Sequence, residues 1–132
     1  MREVNDRMPE RRIRITAGGV SATAKLKDTP TADKIWAALP IKGSANTWGD
    51  EIYFSIPVKA VAGPEADDAV SAGDIAYWPP GSAFCLFFGL TPASSGGVIR
   101  AASAVNVFGT IEGDPLVFKK VRSGEAISVA KA

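Results

Sequence analysis

The chain has 132 residues, of which 46% are hydrophobic and 22% are charged. This is the ordinary balance of a globular domain, and it argues against the disordered and membrane classes. Because 15 basic and 14 acidic side chains nearly cancel, the chain has no long-range field to collect a phosphate backbone or an anionic bilayer. The composition therefore predicts one domain that binds neither nucleic acid nor membrane.

The chain contains one cysteine, Cys85, and no histidine. A lone cysteine cannot form an internal disulfide, so a reducing, cytoplasmic location fits best. The absence of histidine removes the usual general base, the usual zinc ligand and the usual partner of a nucleophilic serine or cysteine. The glycine pairs at 18–19 and 96–97 belong to no nucleotide-binding fingerprint. We therefore expect neither a metal nor a cofactor.

The first predicted elements are an N-terminal arm and a hairpin. Residues 1–11 carry mixed charge without an apolar period, so we predict a flexible arm there and a single domain over 12–132. Apolar residues alternate with polar ones from Arg12, and again over 20–26, as half-buried strands require. Gly18-Gly19 between them favours a tight turn.

The middle of the chain predicts a short helix and the clearest strand. Ile35 and Leu39 lie four residues apart within 31–39, which predicts a helix that Asp28 or Thr29 caps and Pro40 ends. Residues 51–58 alternate strictly and predict a strand. The polar, acidic segment 63–73 is predicted to be an exposed connection.

The C-terminal half continues the β pattern. Its apolar run at 84–88 predicts a strand with both faces covered, and Asp114-Pro115 is a typical helix start. Many short strands, frequent turns and two short helices indicate a mostly β fold, with the strands forming a closed or nearly closed antiparallel barrel. The other strands predicted here are 74–78, 104–111 and 126–130.

Three sequence blocks resemble a known family. They are Asn46–Phe54, Gly73–Gly81 running into Phe84–Gly89, and Ala104–Gly109, and the stretch Tyr77-Trp-Pro-Pro-Gly81 is the most specific part. Their order resembles the prokaryotic cyclophilin-like domain family of unknown function. The resemblance covers most of the chain from about residue 12. It implies a cyclophilin-like antiparallel barrel of about eight strands flanked by two short helices.

The prolyl isomerases are more distant relatives in this resemblance. Amide rotation has a barrier of about 18–20 kcal/mol, so a catalyst must bind the twisted amide more tightly than either planar isomer. Phe87-Phe88 resembles the paired phenylalanine of the isomerase pocket. The stretch 50–57, which matches the strand of the catalytic arginine, contains no arginine, and Val105 stands at the position of the pocket histidine. Arg100 could enter a groove from its loop, but a solvated arginine is the commoner case.

Eight residues are candidates for a ligand-binding groove, because aromatic side chains beside glycine and proline turns can line an apolar groove with a polar rim. Core packing is the favoured alternative for the phenylalanines. The two alternatives stay equally open for the tryptophans and for Tyr53, whose polar groups suit a partly wet site. The candidates are Trp48, Glu51, Tyr53, Tyr77, Trp78, Phe84, Phe88 and Asn106.

The polar candidates each have a structural alternative. Glu51, with its neighbour Asp50, could act as an acid or anchor a cationic ligand group if burial raised a carboxyl pKa, but a surface carboxylate is the favoured interpretation. Asn106 could donate to a ligand carbonyl or make a structural hydrogen bond. Cys85 lies within an apolar strand and is predicted to be an inert, buried thiol.

Three functions follow as hypotheses. The leading one is a binding module that holds a small molecule or an extended peptide in an aromatic groove without covalent chemistry. The alternative from the enzyme class is a weak peptidyl-prolyl isomerase or an acid-assisted enzyme that uses Glu51. The third is a subunit-like structural role, since cyclophilin-like barrels also resemble parts of larger amide-metabolising enzymes. Exposed strand edges would allow a homodimer.

Overall fold

A computed structural model describes residues 10–132. Most of the predicted N-terminal arm, residues 1–9, lies outside the described residues. Arg11 is already attached to the domain: its carbonyl oxygen accepts the Leu26 N–H at 2.9 Å, and its guanidinium donates to Asp33 Oδ1 at 2.8 Å. Arg11, which we predicted to lie in the arm, is therefore part of the folded domain.

Residues 10–132 form ten strands, one α-helix and two 3₁₀ helices. The fold is mostly β, as predicted. The strands are β1 (Arg12–Ala17), β2 (Val20–Leu26), β3 (Ile41–Ser44), β4 (Asn46–Thr47), β5 (Glu51–Ser55), β6 (Asp67–Val70), β7 (Asp74–Trp78), β8 (Ala83–Phe87), β9 (Ile99–Ile111) and β10 (Ala126–Lys131). Helix α1 spans Pro30–Ala38, and the 3₁₀ helices span Pro79–Gly81 and Pro115–Lys120.

The strands form one antiparallel sheet in the order β3-β10-β1-β2-β9-β7-β8-β5-β4, with β6 paired to β9 outside this path. The end strands β3 and β4 are separated in the chain by Ala45 alone. Ala45 makes its backbone hydrogen bonds elsewhere: its N–H donates to Glu125 O and its carbonyl accepts from Gly124 N, both at 2.8 Å.

No ladder joins the two ends of the sheet among residues 10–132, so the predicted closed barrel is not confirmed. The ends approach through side chains instead. A Cβ on Gly43 of β3 would lie 2.8 Å from the Phe54 ring of β5, so the missing side chain of this glycine lets the ring pack against the opposite end of the sheet.

Several boundaries differ from the predicted ones. The clearest correction is β6, which lies within the segment 63–73 that we predicted to be a connection. Its polar residues gave no strand signal, and it exists because it pairs with β9. Strand β9 begins at Ile99 rather than 104, and β5 ends at Ser55 rather than 58, because Pro57 cannot donate to a ladder. The short strands β3 and β4 were also not predicted.

The predicted helix 31–39 is confirmed as α1. Thr29 is its cap, with the hydroxyl oxygen accepting the Ala32 N–H at 3.1 Å, and Pro30 occupies the first turn. No helix in the described part of the chain combines the length and apolarity needed to cross a bilayer.

Both faces of β8 are buried, as its continuous apolar sequence predicts. Phe84 and Leu86 enter the main core on one face of the sheet. Cys85 and Phe87 point to the opposite face, where a second cluster forms with Ala101 and Val105 of β9. The first half of β9 therefore packs over the outside of β7 and β8, and the candidate site lies in this second cluster.

Candidate functional site

A cavity of about 150 Å³ lies where β5, β7 and β8 meet the first half of β9. Strand β9 contributes only small side chains, among them two adjacent alanines, so space remains between the large aromatic side chains opposite. Ala102 is exposed and places one wall of the cavity at the surface. The lining consists of Trp48, Glu51, Tyr53, Trp78, Cys85, Ala101, Ala102 and Val105.

The β4–β5 hairpin brings Trp48 and Glu51 together. The Trp48 N–H donates to Glu51 O at 2.9 Å across the two-residue turn Gly49-Asp50. Gly49 has φ +61°, a value that side chains disfavour, and a Cβ there would lie 2.9 Å from Leu90 O. A glycine is therefore needed at this position to fix the turn that presents both lining residues.

Strand alternation explains why Glu51 and Tyr53 line the same cavity. They point to one face of β5, while Ile52 and Phe54 enter the main core on the other. Tyr53 is opposite Cys85 in the β5–β8 ladder, which places the two residues side by side in the lining.

Trp78 is held in place from two sides. Its indole Nε1–H donates to Ser103 Oγ on β9 at 2.7 Å. A Cβ on Gly81, in the 3₁₀ helix that follows β7, would lie 2.9 Å from the indole ring. The backbone of the Pro79-Pro80-Gly81 segment thus lies close against the Trp78 ring and holds the ring at the cavity.

Glu51 is the chemically unusual residue of the cavity. Its side chain is buried, with the residue only 5% exposed, and Oε1 has no hydrogen-bond partner among residues 10–132. Burial raises the pKa of Glu51 from its ordinary value of 4.5 to about 7, an effect that the neighbouring Cys85 thiol opposes. The favoured interpretation of Glu51 as a surface carboxylate was wrong, because β9 covers the face on which it lies.

Cys85 is a buried free thiol, as predicted. Burial and the nearby Glu51 carboxyl both raise the pKa of Cys85, so the reactive thiolate is disfavoured. The geometry therefore gives this cysteine a lining role rather than a nucleophilic one.

Three of the predicted aromatic residues lie in the main core and not at the cavity. The Tyr77 hydroxyl donates to Val58 O at 2.7 Å, and the Phe84 ring centroid lies 5.3 Å from that of Phe54 and 5.2 Å from that of Phe108. Phe88 is also buried. For these residues the structure supports the alternative of core packing.

Asn106 lies away from the cavity, and its amide is fully engaged. Nδ2 donates to Val61 O at 2.9 Å and to Thr31 Oγ1 at 3.2 Å, while Oδ1 accepts the Gly63 N–H at 2.9 Å. It lines a separate groove of about 650 Å³ between the start of α1 and the segment 60–69. These contacts match the structural hydrogen bonds that we considered as its alternative role.

The comparisons with known proteins agree with this architecture. The Cyclophilin-like family model matches residues 11–130. The chain belongs to this family. The solution structure of a hypothetical protein from Archaeoglobus fulgidus is similar, with 45% sequence identity, coverage of 96% of this chain and 98% of that chain, and a TM-score of 0.81. The comparison with curated proteins gives no match.

Membership in the cyclophilin-like family makes the identity of the cavity residues informative. Val105, the residue expected at the isomerase histidine position, does line the cavity, but none of the eight lining residues is an arginine. Arg100 is not in the lining, and its Nη1 donates to Asp68 Oδ1 at 3.0 Å. The lining is thus apolar and aromatic with one acidic group.

The sequence identified four of the eight lining residues, namely Trp48, Glu51, Tyr53 and Trp78. It missed the other four, Cys85, Val105, Ala101 and Ala102, of which the two alanines make the space. Alanines carry no chemical signal, and only the extension of β9 back to Ile99 shows that they face the aromatic side chains.

Proposed function

We propose that this protein is a small-ligand binding module and that the cavity lined by Trp48, Glu51, Tyr53 and Trp78 is its site. The observation that carries the proposal is the buried Glu51 carboxyl group, which lines this cavity and whose Oε1 has no hydrogen-bond partner in the described chain. A buried polar group left without its hydrogen bonds costs about 1–3 kcal/mol, and a ligand that forms a hydrogen bond with this carboxyl group recovers part of that cost.

The size of the cavity limits the ligand. Its volume of about 150 Å³ equals that of an engineered apolar cavity known to hold benzene. A molecule of this size, or one side chain of an extended peptide, therefore fits, while the rest of a larger ligand extends past the exposed Ala102. The aromatic walls supply apolar contact area, and the Glu51 carboxyl group fixes the orientation of the ligand.

The lining favours binding over covalent chemistry. The pKa of the Cys85 thiol in the lining is raised by burial, which disfavours the nucleophilic thiolate. The lining contains one carboxyl group, that of Glu51, and neither a second carboxyl group nor a lysine that would form an acid–base pair with it. A ligand in this cavity therefore meets mainly groups that can hold it by apolar contact and by one carboxyl group.

A fragment screen by amide and indole NMR tests this proposal. We expect ligands to shift the indole signals of Trp48 and Trp78 and the amide signals of Tyr53 and Ala101. A variant with Ala101→Leu fills the cavity and should abolish these shifts. Ala104→Leu, on the same strand but exposed and outside the lining, is the matched control and should bind as the wild type does.

Two results would overturn the proposal. One is fragment binding that persists unchanged in the Ala101→Leu variant. The other is a set of shifts confined to the separate groove along residues 60–69.

A further inference from the structure

We propose that the cavity recognises an alkylammonium group, either a small amine or the amine end of a larger molecule, paired with Glu51 and surrounded by Trp48, Tyr53 and Trp78. This inference deepens the function proposed above and rests on it. It names the chemical class of the ligand.

The charges around the cavity favour a cation. Glu51 is the one carboxyl in the lining, and no lining residue is cationic. The nearby Lys119 Nζ lies 3.4 Å from Asp50 Oδ2, so this ammonium neutralises the neighbouring carboxylate and not Glu51. An anionic ligand would meet a like charge on the ionised carboxylate, and a ligand without a donor would leave that carboxylate unpaired. An ammonium group supplies hydrogen-bond donors and also the opposite charge.

The aromatic lining points to the same class. The faces of tryptophan and tyrosine rings attract cations through their quadrupole, and clusters of such rings are the usual recognition device for alkylated ammonium groups. Three such side chains line this cavity together with the carboxyl group. A carboxyl alone would accept any donor, whereas aromatic walls add selectivity for a donor that carries charge and alkyl groups.

The protonation of Glu51 makes this inference testable by pH. Since burial raises the pKa of Glu51 to about 7, its carboxyl is mostly protonated below that pH, and an ammonium ligand must displace a proton to bind. Affinity should therefore fall about tenfold per pH unit below 7 and level off above it. A ligand that accepts a hydrogen bond from the protonated acid would show the opposite trend.

The groups facing Glu51 allow this assignment of the pH effect. The titratable side chains that line the cavity with it are Tyr53 on the same strand and the Cys85 thiol on β8. Strands β7 and β9 contribute no titratable group to the lining, only Trp78, Ala101, Ala102 and Val105.

The experiment compares benzylamine, a cation throughout the range used, with benzyl alcohol, its neutral counterpart of similar shape. NMR titration of the wild type at about pH 6 and about pH 8 gives both affinities. We expect benzylammonium to bind at least about tenfold more tightly than the alcohol at the higher pH, and about tenfold more tightly there than at the lower pH.

Two variants separate the charge of Glu51 from its shape. Glu51→Gln keeps the shape and should remove both the preference for the cation and its pH dependence, while the alcohol binds as before. Asp50→Asn changes the adjacent carboxyl, which contacts Lys119 instead, and should leave the pH dependence near pH 7 in place.

The outcomes distinguish this inference from the function on which it rests. Equal affinity for the two probes at both pH values, or an unchanged preference in Glu51→Gln, overturns the ammonium assignment but not the binding role. Failure of both probes while other fragments occupy the cavity also overturns only the assignment. Failure of the probes and of every screened fragment overturns both.

Discussion

Replacing Glu51 by glutamine should make the stability of the protein less sensitive to pH. The folded-state pKa of Glu51 is raised from 4.5 to about 7 by burial, so the native state holds a proton that the unfolded chain releases. Between these two values, the wild type should lose about 1.4 kcal/mol of unfolding free energy per pH unit through this one group. The stabilising protonated form is fully present below the unfolded pKa and is lost as pH rises through about 7.

From pH values well below 4.5 to values well above 7, the wild type should lose in total about 3 kcal/mol of unfolding free energy through Glu51. Urea unfolding of wild type and Glu51→Gln, followed by tryptophan fluorescence at several pH values, measures it. The glutamine variant should gain stability relative to the wild type as pH rises. Asp50→Asn is the control and should not show this relative gain. Parallel curves for wild type and Glu51→Gln would refute the reasoning, because they would mean that the Glu51 carboxyl is hydrated as well in the cavity as in the unfolded chain.

Three further predictions concern residues that hold the site and the core, and urea unfolding measures each. Gly49→Ala should lower the free energy of unfolding by about 1–3 kcal/mol, because φ at this position is +61° and the new Cβ would lie 2.9 Å from Leu90 O. Gly19→Ala, with no atom within 4 Å, is its control, and equal effects of the two would contradict the turn argument. Phe84→Ala should cost about 3–5 kcal/mol as a core truncation, and a loss below 1 kcal/mol would argue against core packing. Asn106→Ala should cost about 1–3 kcal/mol, since the Gly63 N–H loses its acceptor, and an unchanged midpoint would show that water replaces it.

Strand alternation made much of the fold predictable. In β1, the burial of Ile13 and Ile15 follows directly from the period of two, and the Gly18-Gly19 turn and the Thr29 cap are chemical signals that act over a few residues. The apolar sequence of β8 likewise predicted that both of its faces are covered. These features depend on local geometry and on the cost of exposing apolar surface, and both are encoded by neighbouring residues.

The candidate site was only half predictable. Trp48, Tyr53 and Trp78 stand out because large side chains with polar groups beside turns are typical of partly wet sites. The sequence could not place Tyr77 and Phe84 on the opposite face from the cavity without the register of β5, β7 and β8. Residue type alone does not reveal which face of a sheet is covered.

The sequence by itself determined the mostly β architecture, the cyclophilin-like resemblance, the first hairpin and the aromatic side chains of the site. Tertiary structure alone decided three things. They are the existence of β6, the lack of a ladder between the end strands β3 and β4 of the sheet, and the burial of Glu51. Each depends on which distant segment lies beside a residue, and β9 supplies that segment for both β6 and Glu51. The pKa of a carboxyl depends on the water that its surroundings exclude, so the same glutamate would be ordinary on an uncovered strand.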